Sequence, residues 1–297
     1  MRATRLLTGI LILLTLFVGA TARGSAFTGL YVFGDSLSDN GNLYAATGQP
    51  FSPPYWQGRF SNGPVYIERL AVSLSVPLHD LAWGGAGATG STAAVPSLQT
   101  QVTSYIASTA TADPGALYVL FFGLWDALYS PSTLQTAVAN IALQISNLHQ
   151  HGAEHFLIPN LYDLGSTPRA LAQGPGGQAA ATLLTLNFNA ALAAAVANLG
   201  SAVDIHLFDT KSFFDQMVAN PAAFGFANVT DSCLATGVCD PNEFLFWDDL
   251  HPTAAAHQFL ADAMYASLSQ QQAPEPATLA LLGVGLAGLA AARRRRQ

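Results

Sequence analysis

The stretch Tyr31-Val32-Phe33-Gly34-Asp35-Ser36-Leu37-Ser38-Asp39-Asn40-Gly41-Asn42 decides how the chain folds. Three apolar residues rich in β-formers run into Gly-Asp-Ser and then into small polar residues. This predicts a buried strand that ends abruptly and delivers Ser36 into the loop at its C-terminal edge. In an open α/β sheet that edge is where ligands bind. Gly34 lets the backbone turn sharply, and loop N–H groups beyond it can face a developing oxyanion, so Ser36 is a candidate nucleophile. A turn serine without chemistry satisfies the same short motif. Two distant residues, Asp248 and His251, bear on the choice.

Outward from that stretch, the run Leu117-Tyr118-Val119-Leu120-Phe121-Phe122 is continuous in apolar residues, as expected of a strand covered on both faces. It ends in Gly123-Leu124-Trp125-Asp126, at the edge where Ser36 is expected. Residues 78–82, 155–159 and 203–208 read as further strands. Residues 64–73, 134–148, 179–199 and 253–268 read as helices, with Asn62 a possible cap for the first. The alternation, without repeat or linker, predicts one three-layer α/β/α domain with a mainly parallel sheet. Trp83-Gly84-Gly85-Ala86 follows the 78–82 strand, and a glycine pair there lets backbone N–H groups approach a ligand; a tight turn is the plainer reading. The proline- and glycine-rich segment 50–63 forbids a regular element. Its aromatic residues either line one wall of a cleft beside Ser36 or pack as a surface loop. Residues 162–177 and 224–246 read as irregular, and long loops in such folds are often functional. His149, His151 and His155 fall at a helix end and in a loop, which favours solvated positions over a metal site.

The 297 residues are 51% hydrophobic and 10% charged, enough for a sizeable core in one large or two small domains. Arg2 and Arg5 precede an apolar run over 6–18 and a series of small residues, which predicts a secretory signal peptide over 1–26, cut near Ala22 or Ala26. At the other end, Ala273-Pro274-Glu275-Pro276 precedes the uncharged run 277–292 and then Arg293 to Arg296. As a helix that run spans about 24 Å, short of the roughly 30 Å hydrocarbon core, although flanking arginines snorkel and bilayers thin. The basic cluster suits a cytoplasmic face. Between the ends, residues 27–270 hold four basic residues (Arg59, Arg69, Arg169 and Lys211) against seventeen acidic ones, a formal charge of −13. A nucleic-acid partner is thereby excluded and anionic polymers are disfavoured. Cys233 and Cys239, in a segment sent to an oxidising compartment, read as a local disulfide, with a free buried pair the alternative. Two thiols without nearby histidines make a poor zinc site.

Phe246-Trp247-Asp248-Asp249-Leu250-His251-Pro252-Thr253 places a carboxylate three residues before a histidine, just ahead of a helix. A serine is a weak nucleophile until a base removes its proton, which histidine can do at neutral pH. A carboxylate beside it fixes the tautomer and stabilises the imidazolium. Asp248 has the suitable spacing and Asp249 the less suitable one.

These motifs together resemble the GDSL lipase/esterase family of the SGNH hydrolase superfamily, in particular the branch of the plant GDSL lipases. The likeness covers most of 27–270. It is carried by Phe33-Gly34-Asp35-Ser36-Leu37-Ser38-Asp39, Gly58-Arg59-Phe60-Ser61-Asn62-Gly63, Ala82-Trp83-Gly84-Gly85-Ala86 and the 246–253 motif, with the cysteine pair just upstream. It implies a flavodoxin-like three-layer fold in which Ser36 is the nucleophile and a backbone oxyanion donor, Gly85 the second donor, His251 the base and Asp248 its orienter, with no metal and no cofactor. The family's fourth block is Gly-x-Asn-Asp, whose asparagine is the third oxyanion donor; here Trp125 stands at that position. An indole N–H can donate, the ring can wall the acyl pocket, or the site can be slow or inactive, and the sequence leaves these open.

The tail over 273–297 resembles the PEP-CTERM sorting signal of Gram-negative bacteria: Pro-Glu-Pro, a short hydrophobic helix, then a basic cluster. That implies transient membrane anchoring, cutting by a membrane transpeptidase, and a destination in the cell envelope, at the surface or in the extracellular matrix. Two functions are expected. One is an exported serine ester hydrolase acting on a small-molecule, lipid or acylated-glycan ester. The other is a catalytically weak or inactive envelope or matrix binding protein on the same fold.

Overall fold

The computed structural model describes residues 27–91, 95–201 and 203–271; the signal peptide expected over 1–26 and the sorting tail expected over 273–297 lie outside them. The strand leading to Ser36 is β1 (Leu30–Gly34), with Leu30, Val32 and Phe33 buried. After it come α1 (Asn42–Thr47), α2 (Tyr66–Leu74), β2 (Leu78–Asp80), α3 (Leu98–Ser108), β3 (Leu117–Phe121), α4 (Leu124–Tyr129) and α5 (Leu134–Gln150). The chain continues through β4 (His155–Pro159), α6 (Gly174–Ala197), β5 (Asp204–Phe208), α7 (Thr210–Ala219), β6 (Asn228–Ser232), β7 (Phe244–Phe246) and α8 (Ala254–Gln271).

Strands β1 to β5 form one sheet in the order β2-β1-β3-β4-β5, parallel throughout. This is the flavodoxin-like winding, and the expected three-layer α/β/α architecture is present. All five residues of β3 are buried, because the strand lies mid-sheet with helices on both faces. In α2, Ile67, Leu70, Ala71 and Leu74 recur at helical spacing and face inward, while Val72 is exposed. Each fully buried Leu, Ile or Phe of this kind contributes about 2 kcal/mol. Helices α3, α5 and α6 pack side by side in one layer, and α2 packs with α8 in the other. Among the described residues α6 has the length and composition to cross a membrane, yet Thr185, Phe188 and Leu192 tie it to the core.

Several expectations are corrected. Asn62 does not cap α2: its Oδ1 accepts the Ala254 N–H at 2.8 Å and so caps α8, while the start of α2 is held by Glu68 Oε2, which accepts the Val65 N–H at 3.0 Å. The strand expected over 78–82 ends at Asp80, because the Asp80 side chain accepts the Ala82 N–H and turns the chain. Residues 174–177, read as irregular, open α6, whose first turn tolerates Pro175. The 224–246 stretch is likewise not wholly irregular: β6 and β7 pair in parallel, and the Cys233–Cys239 disulfide lies between them in sequence.

Candidate active site

The end of β1 is braced from α3. Gln101 donates through Nε2 to the Gly34 carbonyl at 3.0 Å and accepts the Gly34 N–H at 3.1 Å. A Cβ on Gly34 would lie 2.7 Å from Ser38 Oγ, so glycine is required for the tight exit. The chain then turns at once, the N–H groups of Ser38 and Asp39 donating back to the Asp35 carbonyl at 3.1 and 3.0 Å, which leaves Ser36 at the corner. Asp39 collects four N–H groups, those of Gly41, Asn42, Leu43 and Gly84, and so ties the Ser36 loop to the glycine loop after β2. In that loop Gly85 has φ +81°, a left-handed conformation natural to glycine. Its far side is fixed by Asp126 at the start of α4, which accepts the N–H groups of Ala88 and Thr89 at 2.8 and 3.0 Å and the Thr89 hydroxyl at 2.6 Å.

The other half of the site comes from the link between β7 and α8. Asp248 Oδ1 accepts the N–H of Leu250 at 2.8 Å and of His251 at 2.6 Å. Its Oδ2 lies 2.7 Å from His251 Nδ1, and His251 Nε2 lies 2.8 Å from Ser36 Oγ. A carboxylate only accepts, so Nδ1 carries the proton and Nε2 is free to accept from the serine hydroxyl. Ser36, Asp248 and His251 are 8%, 9% and 9% exposed, a site nearly closed to water yet still reachable. Burial pushes the Asp248 carboxyl up, but the nearby His251 and its hydrogen bonds outweigh that and hold it at about 2. Asp249, the neighbour at the less suitable spacing, turns away to form a two-pronged pair with Arg169 at 2.9 and 3.1 Å.

Ser36, Gly85, Trp125 and His251 line one apolar cavity of about 570 Å³, walled also by Leu43, Phe60 and Leu128. The structure thus brings together every residue expected at the site. Trp125 sits in the first turn of α4, against Gly87, where a Cβ would lie 2.6 Å from its ring, and beside Tyr129 at 5.6 Å between ring centroids. Its indole N–H makes no hydrogen bond to the described residues. Of the aromatic segment 50–63, Phe60 lies 5.0 Å from the His251 ring and lines the cavity, whereas Phe51 is exposed.

Sequence reasoning missed several contributors. Asp39 and Asp126 lie inside the quoted motifs without an assigned role; the Asn40-Gly41 pair after Asp39 is a turn signal, whereas nothing local marks Asp126. Tyr55, whose hydroxyl donates to Asp248 Oδ2 at 2.9 Å, carried no local signal, because a 193-residue separation hides the contact. The three histidines near α5 bond to separate partners, Ala153, Thr109 and Asp204, and no metal-holding group of three occurs among the described residues.

The family profile of GDSL-like lipases/acylhydrolases matches residues 30–264, most of the chain. The chain belongs to the GDSL lipase/acylhydrolase family. It stands thereby among hydrolases of ester bonds. A PEP-CTERM protein-sorting motif matches residues 272–296. The thermolabile hemolysin of Vibrio parahaemolyticus is 30% identical over 79% of this chain, which spans 62% of the hemolysin. The phosphatidylcholine-sterol acyltransferase of Aeromonas hydrophila is 25% identical over 87% of this chain and 95% of its own length. A Lactobacillus plantarum protein of known crystal structure shares the fold, at 18% identity and a TM-score of 0.51, over 82% of this chain and 97% of its own.

Proposed function

We propose that this GDSL-family chain is an exported serine ester hydrolase that works through an acyl-enzyme. The observation that carries the reading is the 2.8 Å approach of Ser36 Oγ to His251 Nε2 beside an apolar cavity. In the proposed cycle His251 takes the Ser36 proton as the oxygen attacks the ester carbonyl, and Asp248 holds the imidazole and steadies its positive form. The backbone N–H groups of Ser36 and Gly85 receive the oxyanion. His251 returns the proton to the departing alcohol, then activates water to release the acid and regenerate Ser36. Trp125 walls the acyl pocket in place of a third donor.

The cavity lining suits an apolar acyl group on a small-molecule, lipid or glycan alcohol. Among the described residues Arg169 is the one arginine or lysine on its wall and is paired with Asp249, which gives strongly anionic substrates little to bind. The proposed division is a signal peptide over 1–26, the hydrolase domain over 27–270 and a sorting tail over 273–297. The tail would anchor the chain briefly and be cut by a membrane transpeptidase, leaving the enzyme in the envelope, at the surface or in the matrix of a Gram-negative bacterium. Trp125 at the asparagine position also favours a second reading, a binding protein that keeps the fold without the reaction. A fluorophosphonate probe separates the two. The hydrolase reading expects rapid stoichiometric labelling and p-nitrophenyl ester hydrolysis, both abolished in Ser36→Ala; an unlabelled wild type that binds envelope glycan would favour the binding protein instead.

A further inference from the structure

The segment 55–62 and the segment 247–254 are joined at four places. Tyr55 donates its hydroxyl to Asp248 Oδ2 at 2.9 Å, and the Phe60 ring lies 5.0 Å from that of His251. Ser61 Oγ donates to the Pro252 carbonyl at 2.9 Å, and Asn62 Oδ1 accepts the Ala254 N–H at 2.8 Å. The first segment is itself stiffened: Trp56 N–H donates to the Ser61 carbonyl at 2.9 Å, and Arg59 lies over the Trp56 ring at 4.9 Å while pairing with Glu68. It therefore acts as a rigid strap across the acid–base pair, and Tyr55 is the one member of it that bonds the carboxylate.

We propose that Tyr55 is a positioning residue of the reaction, whose hydroxyl supplies the fourth hydrogen bond to Asp248 and sets how strongly that carboxylate holds the His251 imidazole. The inference rests on the hydrolase reading above. The chemistry follows from counting donors. Both Asp248 oxygens carry two: Leu250 and His251 N–H on Oδ1, His251 Nδ1–H and Tyr55 O–H on Oδ2. The Tyr55 donor and the imidazole share one oxygen, so each weakens the pull on the other. Burial and the neighbouring Asp248 push the Tyr55 phenol up, so it remains a donor over the whole working range. The other ionisable groups around the pair are Asp35, Asp249 with Arg169, Tyr162, whose hydroxyl donates to the Leu250 carbonyl, and His257. None of these touches Asp248 Oδ2.

Tyr55→Phe tests the inference, since it keeps the ring and its 6.0 Å contact with Phe60 and removes only the hydroxyl. With p-nitrophenyl butyrate, kcat should fall about three- to tenfold at an unchanged KM, the usual net worth of one ordinary hydrogen bond, because Asp248 then fixes the orientation of the imidazole less firmly. The midpoint of the acid limb of the kcat/KM profile should rise by about half a pH unit, because the relieved carboxylate holds the imidazolium more tightly. A profile and kcat superimposable on wild type would overturn the inference, as would a rise in KM alone, which would make Tyr55 a substrate contact. The low-field proton resonance of the His251 Nδ1–H gives a readout independent of turnover: it should move in Tyr55→Phe, and an unchanged resonance refutes the role. Ser36→Ala run in parallel keeps the two readings apart. Hydrolysis surviving in Ser36→Ala would remove the acyl-enzyme, while the proton resonance would still decide the Tyr55 contact.

Discussion

Asp35, the residue before Ser36, offers a test that rests chiefly on burial. It is 1% exposed; Oδ1 accepts the Leu37 N–H at 3.0 Å and Oδ2 has no hydrogen-bond partner among the described residues. Burial pushes its carboxyl from 3.8 up to about 7, against the pull of the Leu37 N–H and of His251. In the unfolded chain the same carboxyl ionises near 3.8. Between those values the folded chain holds a proton that the unfolded chain has lost, so this group's contribution to stability falls as pH rises and levels off above about 7. Across pH 4.5 to 8 the fall is about 3 kcal/mol. Asp35→Asn is isosteric and does not titrate, so it abolishes that slope, at a fixed cost of about 1–2 kcal/mol for an amide N–H₂ without an acceptor. Asp39 and Asp80, both raised by burial, slope the same way, and His257, pushed down to about 3 by burial, slopes the opposite way below pH 6.5; the substitution leaves all three in place. Urea unfolding of both proteins at pH 4.5 and pH 8 is the assay. Relative to wild type, the variant should gain about 3 kcal/mol between the two pH values. A difference between variant and wild type that is the same at both pH values, within about 0.5 kcal/mol, refutes the argument, because the carboxyl would then titrate normally in the fold.

Two further outcomes follow from the cavity wall. Trp125→Phe keeps an aromatic wall against Gly87 and removes the indole N–H, so p-nitrophenyl ester turnover should stay within about threefold of wild type; a fall of about 10²–10³ would make the indole an oxyanion donor. Gly123→Ala should destabilise by about 3 kcal/mol, since φ is +118° there and a Cβ would lie 2.4 Å from Phe188 Cζ, a ring 1% exposed with nowhere to move. Thermal unfolding of that variant measures it, and an unchanged melting temperature would sink the packing account.

The parts of the molecule legible in the sequence are those set by local pattern. The all-apolar run at 117–122 reads as a strand covered on both faces, and the abrupt Gly34-Asp35-Ser36 exit reads as a strand edge. The Asp248–His251 pairing was legible for the same reason: a three-residue spacing lets the Asp248 side chain bond the His251 backbone and ring at once, at 2.6 and 2.7 Å. What escaped is long-range. Asn62 looked like the cap of the helix that follows it, since capping propensity is a local rule, but the strap carries it to α8, where the Ala254 N–H needs the same acceptor. Tyr55 was invisible for a like reason: nothing in a Pro-Pro-Tyr-Trp sequence names a carboxylate 193 residues away.

The separation of scales has a consequence for how fold and chemistry are coupled. Every connection in the sheet except β2 to β3 joins neighbouring strands, whereas the Ser36–His251 contact joins residues 215 apart and depends on how the β7–α8 link is held against the β1 loop. Side chains beyond Ser36, Asp248 and His251 fix the loops around that contact. Asp39 and Asp126 clamp the two ends of the glycine loop, and Asn62 anchors the first turn of α8 just beyond His251. Each is buried or partly buried and hydrogen-bonded on the protein side, so removing any of them leaves donors unpaired at the site while the central strands keep all their pairings. A chain of this fold can therefore lose its reaction before it loses its structure. The residues that guard against that loss are acids and amides in the loops, not the apolar core.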